Sequence, residues 1–101
     1  IKTRFAESAP PDGLILPGDT SALATLAALD DIGLKPGKDV FITTKQTSGA
    51  FDFVRPKIPS VFEDIAAAGE LMAAYLVQRL EGAKAEDLQF VQKIEKGPQD
   101  E

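Results

Sequence analysis

The chain of 101 residues contains no cysteine and no histidine. Disulfides, thiolate nucleophiles, imidazole bases and the usual zinc ligand sets are excluded together. Any metal would rest on carboxylates alone, and the sequence offers neither a metal site nor a cofactor motif. The redox compartment stays open, since a chain without cysteine is as comfortable outside the cytoplasm as inside it. Basic runs are missing too: 11 Lys and Arg are scattered from Lys2 to Lys96 against 16 Asp and Glu, for a net charge of −5. That sign gives no broad attraction to phosphate backbones and argues against direct nucleic-acid binding by this segment. The longest strongly apolar stretch, Ile65 to Leu80, is broken by Glu70, Gln78 and Arg79, and Ile1-Lys2-Thr3-Arg4 lacks an apolar signal-peptide core. Neither a membrane span nor a targeting segment is expected. The chain opens on Ile1 instead of Met, which reads as a fragment or a processed product.

What is present suits one compact unit. An apolar content of 44% is ordinary for a globular domain, and a domain of this length buries roughly 65% of its unfolded surface. Ala9-Pro10-Pro11-Asp12-Gly13 reads as a turn closing a lead-in of about a dozen residues. Leu14-Ile15-Leu16, ended by Pro17-Gly18, predicts a short strand buried on both faces. Asp19, Thr20 or Ser21 can cap the helix that follows, whose stripe is Ala22, Leu23, Leu26, Ala27, Leu29 and Ile32. Gly33, with Leu34 folding back, ends it, and Pro36 prevents resumption. Asp39 to Thr44, rich in β-branched and aromatic residues, predicts a second buried strand. Strand, helix and strand together have the length of one parallel crossover unit.

Lys45 to Lys57 reads as a loop with an apolar tip, and Pro56 and Pro59 hold Ile58 to Phe62 to an extended, edge-like path. A second helix is predicted from Glu63-Asp64, with the stripe Ile65, Ala68, Gly69, Met72, Leu76 and Leu80, stopped by Gly82. Glu86 to Glu95 offers one more strand through Leu88, Phe90, Val91 and Ile94. The tail 96–101 is polar and is expected to be flexible. The fold class is α/β, a parallel sheet with flanking helices.

In an open parallel sheet, ligands bind outside the carboxyl ends of the strands. Those ends carry Pro17-Gly18-Asp19-Thr20 and Lys45-Gln46-Thr47-Ser48, two polar loops on one edge. Asp19 and Thr20 serve equally as helix caps, which does not preclude ligand contact. Gln46, which both donates and accepts, suits a neutral polyol, the alternative being a solvated loop residue. Lys45 and Ser48 lack the burial and oxyanion donors of a Ser-Lys catalytic pair. Glu63-Asp64 at a helix start complement the helix dipole more simply than they form a catalytic pair. Gly37-Lys38-Asp39 lacks phosphate-loop spacing, and no dinucleotide fingerprint follows either strand. No catalytic residue is expected.

Gly13-Leu14-Ile15-Leu16-Pro17-Gly18-Asp19, then Ala22 to Leu29, then Ile32-Gly33-Leu34-Lys35-Pro36-Gly37-Lys38-Asp39-Val40, resembles the C-terminal part of the effector-binding region of lactose-repressor-type transcription regulators. Pro56-Lys57-Ile58-Pro59-Ser60-Val61 sits at that family's Pro-Pro-Leu-Thr-Thr segment, and Glu63-Asp64, Ala67-Ala68-Gly69 and Leu80-Glu81-Gly82 are similar to its late helix. The likeness covers about Pro11 to Ile94 and rests on order and spacing. It implies part of a periplasmic-binding-protein type 1 lobe. Residues 1–101 would be the C-terminal portion of a sugar-binding-protein-like effector domain, supplying much of that lobe and one helix of the other.

In that family two lobes close over a small effector, usually a sugar or nucleobase, and adjust a dimeric DNA-binding module. The resemblance implies a cytoplasmic regulator that binds its effector through Gly18, Asp19, Gln46 and Glu63. DNA would be reached only through an N-terminal domain outside this segment. It also implies a homodimer contacted through Leu23, Phe51, Phe53 and Val54. Gly18 replaces a polar residue, Gln46 an acidic one and Glu63 a polar one, while Lys45 stands where an aromatic is common. A cation and an amide in those places tolerate an acidic ligand better. The alternative is a fragment of a periplasmic solute-binding protein of a transport system, and a small α/β enzyme is a third, remote class.

Overall fold

A computed structural model describes residues 1–96. The flexible tail expected over 96–101 lies outside the described residues, apart from the backbone of Lys96. Ile1–Glu63 together with a returning strand form one compact unit, and Asp64–Ile94 form a second.

The first unit begins with a single helical turn, α1 (Lys2–Phe5), where the sequence reads as a featureless lead-in. Tertiary contact makes the difference to so short a helix. Phe5 packs against the core, and Lys2 Nζ reaches Asp31 Oδ2 at 2.6 Å.

Strand β1 (Gly13–Leu16) then enters the sheet, followed by α2 (Asp19–Asp31) and β2 (Phe41–Gln46). After a short 3-10 turn at Ala50–Asp52 comes β3 (Ser60–Phe62), and β4 (Glu95–Lys96) returns beside it. The order is β1-β2-β3-β4, with the first three parallel and β4 antiparallel to β3. The parallel α/β sheet with flanking helices is thus observed.

Register explains which residues meet. Gly13 pairs with Phe41 and Leu16 with Thr44, while Thr44 pairs with Ser60 and Gln46 with Phe62. Leu14, Leu16, Ile42, Thr44, Gln46, Ser60 and Phe62 therefore share one face, since side chains alternate along each strand. The buried cluster of Ala22, Leu29, Val40, Ile42, Phe51 and Ile58 lies on that face, where α2 packs. The opposite face carries Ile15, Phe41, Thr43, Lys45 and Val61. Full burial of β1 is not found: it is the edge strand, covered on one side only, and Ile15 is 87% exposed.

Strand β2 starts two residues later than the sequence predicts and ends two later. Asp39 closes a turn instead, with Oδ2 accepting from Lys35 N–H at 2.7 Å and its own N–H donating to Lys35 O at 2.8 Å. At the far end, pairing with β3 draws Lys45 and Gln46 into the sheet. Strand β3 is not an edge, since β4 flanks it.

Helix α2 stops as its sequence predicts. Leu34 N–H donates to Leu29 O at 2.9 Å and Gly33 N–H to Asp30 O at 3.0 Å, with Gly33 at φ +77°. This is the paired-bond ending that a left-handed residue permits.

The second unit holds α3 (Ile65–Leu80), capped by Asp64, whose Oδ1 accepts from Ala67 N–H at 2.9 Å. No residue of α3 is buried, and Ile65, Met72, Leu76 and Leu80 of its stripe are exposed. The strand expected over Glu86 to Glu95 is absent until Glu95. Residues 85–87 form a 3-10 turn, and Gln92 Nε2 ties the following segment to Asp64 O at 3.0 Å. That bond ties the stretch back to the head of α3, and residues 88–94 take no strand conformation. Among the described residues, no helix is long and apolar enough to cross a membrane.

Candidate functional site

The carboxyl ends of β1, β2 and β3 deliver Pro17-Gly18-Asp19, Thr47-Ser48 and Glu63 to one edge of the sheet. Two links organise that edge.

The first is centred on Asp19. The residue is the first of α2, and the helix is capped by Gly18 without any side-chain hydrogen bond. Capping by Asp19, Thr20 or Ser21 is therefore not what occurs. The Asp19 carboxylate crosses to the neighbouring loop, where Oδ1 accepts from Thr47 N–H at 3.1 Å and Oδ2 from Ser48 N–H at 3.1 Å. Ser48 Oγ also donates to Oδ2 and in turn accepts from Ala50 N–H at 3.2 Å. Partial desolvation pushes the Asp19 carboxyl up. The bonds from the Ser48 hydroxyl, from the Thr47 and Ser48 amides and from its own N–H outweigh it and hold the group below its ordinary value. One ionised carboxylate thus fastens the loop after β1 to the loop after β2.

The second link lies on the open face. Lys45 Nζ meets Glu63 Oε2 at 2.8 Å, both side chains nearly half exposed. Glu63 N–H donates to Gln46 O at 2.9 Å, which fixes the turn from β3 toward α3 against the end of β2.

Gln46 stands apart from the role expected of it. It is 1% exposed, on the core face of β2. Its Nε2 donates to Ser60 Oγ at 3.0 Å and its Oε1 accepts from Phe51 N–H at 3.3 Å. The amide joins β2, β3 and the 3-10 turn, so it positions the edge and is not presented to a ligand, nor is it a solvated loop residue. Two more residues of the edge bear on its shape. Thr44 Oγ1 donates to Lys45 O at 2.9 Å and lies 3.4 Å from Gly18 O. At Gly18 a Cβ would meet nothing within 4 Å, so space remains in front of the first turn of α2.

The structure therefore groups Gly18 and Asp19 with Thr47 and Ser48, and Glu63 with Lys45, while it withdraws Gln46 into the core. Ser48 and Lys45 bond to different partners, Asp19 and Glu63. Among the described residues, no three acidic side chains gather as a metal site.

The residues expected at a dimer contact also divide. Phe51 is fully buried in this chain's own core and is unavailable to a partner. Val54 is half-buried against the same cluster, Leu23 is exposed, and Phe53 is 85% exposed. The apolar tip folds inward at Phe51, the buried residue of the 3-10 turn, which joins Ile42 and Ile58 in the core cluster.

The family model of the periplasmic binding protein-like domain matches residues 2–94. No curated protein matches the chain.

Proposed function

The chain belongs to the periplasmic binding protein-like family, and on that premise we propose that it is the effector-sensing part of a lactose-repressor-type transcription regulator. The ligand is a small polar molecule, a sugar or sugar derivative. It lies against Gly18, Asp19, Lys45 and Glu63 at the carboxyl edge of the sheet, where open α/β sheets receive ligands. The observation that carries the reading is the Asp19 clamp, which fastens two strand-end loops to each other through bonds within the chain. An edge so fastened lowers the ordering cost of binding.

The roles divide by chemistry. Lys45 and Glu63, already paired, offer donors and acceptors to hydroxyls, and Lys45 can turn to an acidic substituent at the cost of an exposed ion pair, about 1 kcal/mol or less. Asp19 keeps its charge across the physiological range and orients the Thr47 and Ser48 backbone. No bond-making step is assigned to any of them, and the regulator acts in the cytoplasm as a homodimer. The regulator is preferred to a solute-binding protein of a transport system on the resemblance of Gly13 to Asp19, Ile32 to Val40 and Pro56 to Val61 to the regulator family.

The test combines two measurements on the intact protein. Thermal shift against sugars, polyols and sugar acids is expected to find a stabilising ligand, since binding to the native state alone raises Tm. Glu63→Gln is expected to weaken that shift. A gel shift by the same protein is then expected to change when the ligand is added. Ligand binding without any DNA retardation would replace the regulator by the transport reading, and no stabilising ligand in the panel would remove both.

A further inference from the structure

At the other edge of the sheet, on the turns that lead into β2 and β3, three cations surround an apolar hollow. Lys35 and Lys38 come from the turn after α2, and Arg55 from the loop before β3. With Asp30 they rim a pocket of about 540 Å³ whose walls are Leu26, Leu34, Pro36 and Pro56. That volume lies in the range of small-molecule sites, as does the combination of apolar walls with a few convergent polar groups.

Hydrogen bonds fix the turns that carry these cations, while the charged groups themselves are left, among the described residues, outside ion pairs. Lys35 N–H donates to Asp39 Oδ2, and Lys35 O accepts from Lys38 N–H at 3.2 Å and from Asp39 N–H at 2.8 Å, so both lysines are presented from one closed turn. Arg55 Nη1 donates to Asp52 O at 3.2 Å and to Val54 O at 2.9 Å, which anchors its guanidinium to its own loop. Among the described residues, neither lysine ammonium nor the Arg55 guanidinium makes an ion pair. On a chain of net charge −5, three cations outside any ion pair, against the single rim carboxylate of Asp30, concentrate a local attraction for anions. Asp30 offsets only part of that charge, and the remaining positive excess disfavours a purely cationic guest.

We propose that this pocket binds a small organic anion with an apolar body. Its carboxylate or phosphate lies among Lys35, Lys38 and Arg55, and its body rests on Leu26, Leu34, Pro36 and Pro56. Arg55 offers Nε and Nη2 in a planar fork to the oxygens, and the lysines add point charges. The site is independent of the strand-end ligand and does not rest on it.

The probes are benzoate, phenyl phosphate, benzyl alcohol and inorganic phosphate, each titrated into the isotope-labelled intact protein with amide shifts as the readout. Benzoate and phenyl phosphate are expected to move the amides of Leu34, Lys35, Lys38 and Arg55 saturably, with Kd at least tenfold tighter than benzyl alcohol or inorganic phosphate. Lys35→Ser combined with Lys38→Ser is expected to weaken phenyl phosphate at least tenfold and leave Tm unchanged, because both side chains are exposed. Leu26→Ser tests the wall, and its expected loss of affinity for benzoate must exceed that for inorganic phosphate. Equal binding of phenyl phosphate and inorganic phosphate would reduce the site to a charged surface and overturn the proposal. So would undiminished binding by the double variant, or shifts that avoid these amides.

Discussion

At Asp19 a single carboxylate takes donors from a loop 28 and 29 residues away in sequence. Its pKa lies below the ordinary value in the folded chain, against about 3.9 when unfolded. The stabilisation it supplies is complete above about 3.9 and is lost as pH falls through the lower folded value. Asp19→Asn is expected to lower stability at pH 7 by on the order of 1 to 2 kcal/mol, the worth of charge-assisted bonds at a partly exposed site. Urea melts from pH 7 to pH 3 check it, the wild type losing its advantage over the variant only in the acid limb. An advantage constant to pH 3 would mean that the charge contributes nothing. Gln46 is the opposite case. Gln46→Ala leaves the buried Phe51 N–H without its acceptor and opens a cavity, at a cost of about 2 to 4 kcal/mol. Chemical denaturation of the ligand-free protein is expected to show it, whereas a residue contacting only ligand would leave that melt unmoved. Asp19 was legible in sequence because it follows a strand and a Pro-Gly turn. Its partners were not, because they depend on the register of β1 on β2. Gln46 was misread because a strand ending at Thr44 leaves it in a loop. Two more paired residues make it the third member of the buried row Ile42, Thr44, Gln46.

Helices and strands differ in where their boundaries are encoded. The end of α2 is written in three adjacent residues, Ile32-Gly33-Leu34, and the start of α3 in Asp64, so both are readable locally. The ends of β2 are set by Asp39 bonding back to Lys35 and by β3 arriving beside Lys45, contacts that no local window contains. The same holds for α1, which depends on Phe5 and Lys2 finding partners, and for β4, whose two residues pair only because β3 has a free side. Gly33→Ala tests the local kind. With φ at +77°, a Cβ there strains the backbone by about 1 to 2 kcal/mol although no atom crowds it. The urea midpoint is expected to fall accordingly. Gly18→Ala, at φ −180° and with equal room, is expected to lose less than half as much. Equal losses would show that backbone sign is not what makes glycine necessary at residue 33.

Large apolar side chains are left in water on each of the two units. In the first, Ile15 and Phe41 stand on the bare face of the sheet, and Leu23 and Phe53 on the surface around α2 and the loop after the 3-10 turn. In the second, Met72, Leu76 and Leu80 line α3 and Phe90 lies exposed nearby in sequence to the 3-10 turn at 85–87. Burying any one of them fully is worth roughly 1.5 to 3 kcal/mol, and a domain of this size has a total stability of about 5 to 15 kcal/mol. Association recovers part of that sum after its own entropic cost, and a two-fold pairing is the commonest closed solution. The 101-residue chain is therefore expected to dimerise. Light scattering across a dilution series checks it, with a mass above the monomer at high micromolar concentration that falls on dilution. A monomer mass throughout, with a cooperative melt, would overturn it. Which surface forms the contact is separable from whether one forms. Phe53, 85% exposed, and Leu23 have no core role to lose, so Phe53→Ser and Leu23→Ser are expected to weaken the dimer about tenfold at unchanged monomer stability. Phe51→Ala, two positions earlier but fully buried, is expected to cost about 3 to 5 kcal/mol of stability, and it affects mass only by unfolding the chain. Unchanged mass in the Phe53 and Leu23 variants would move the contact to the bare sheet face, where Ile15→Ser and Phe41→Ser become the variants that dissociate it.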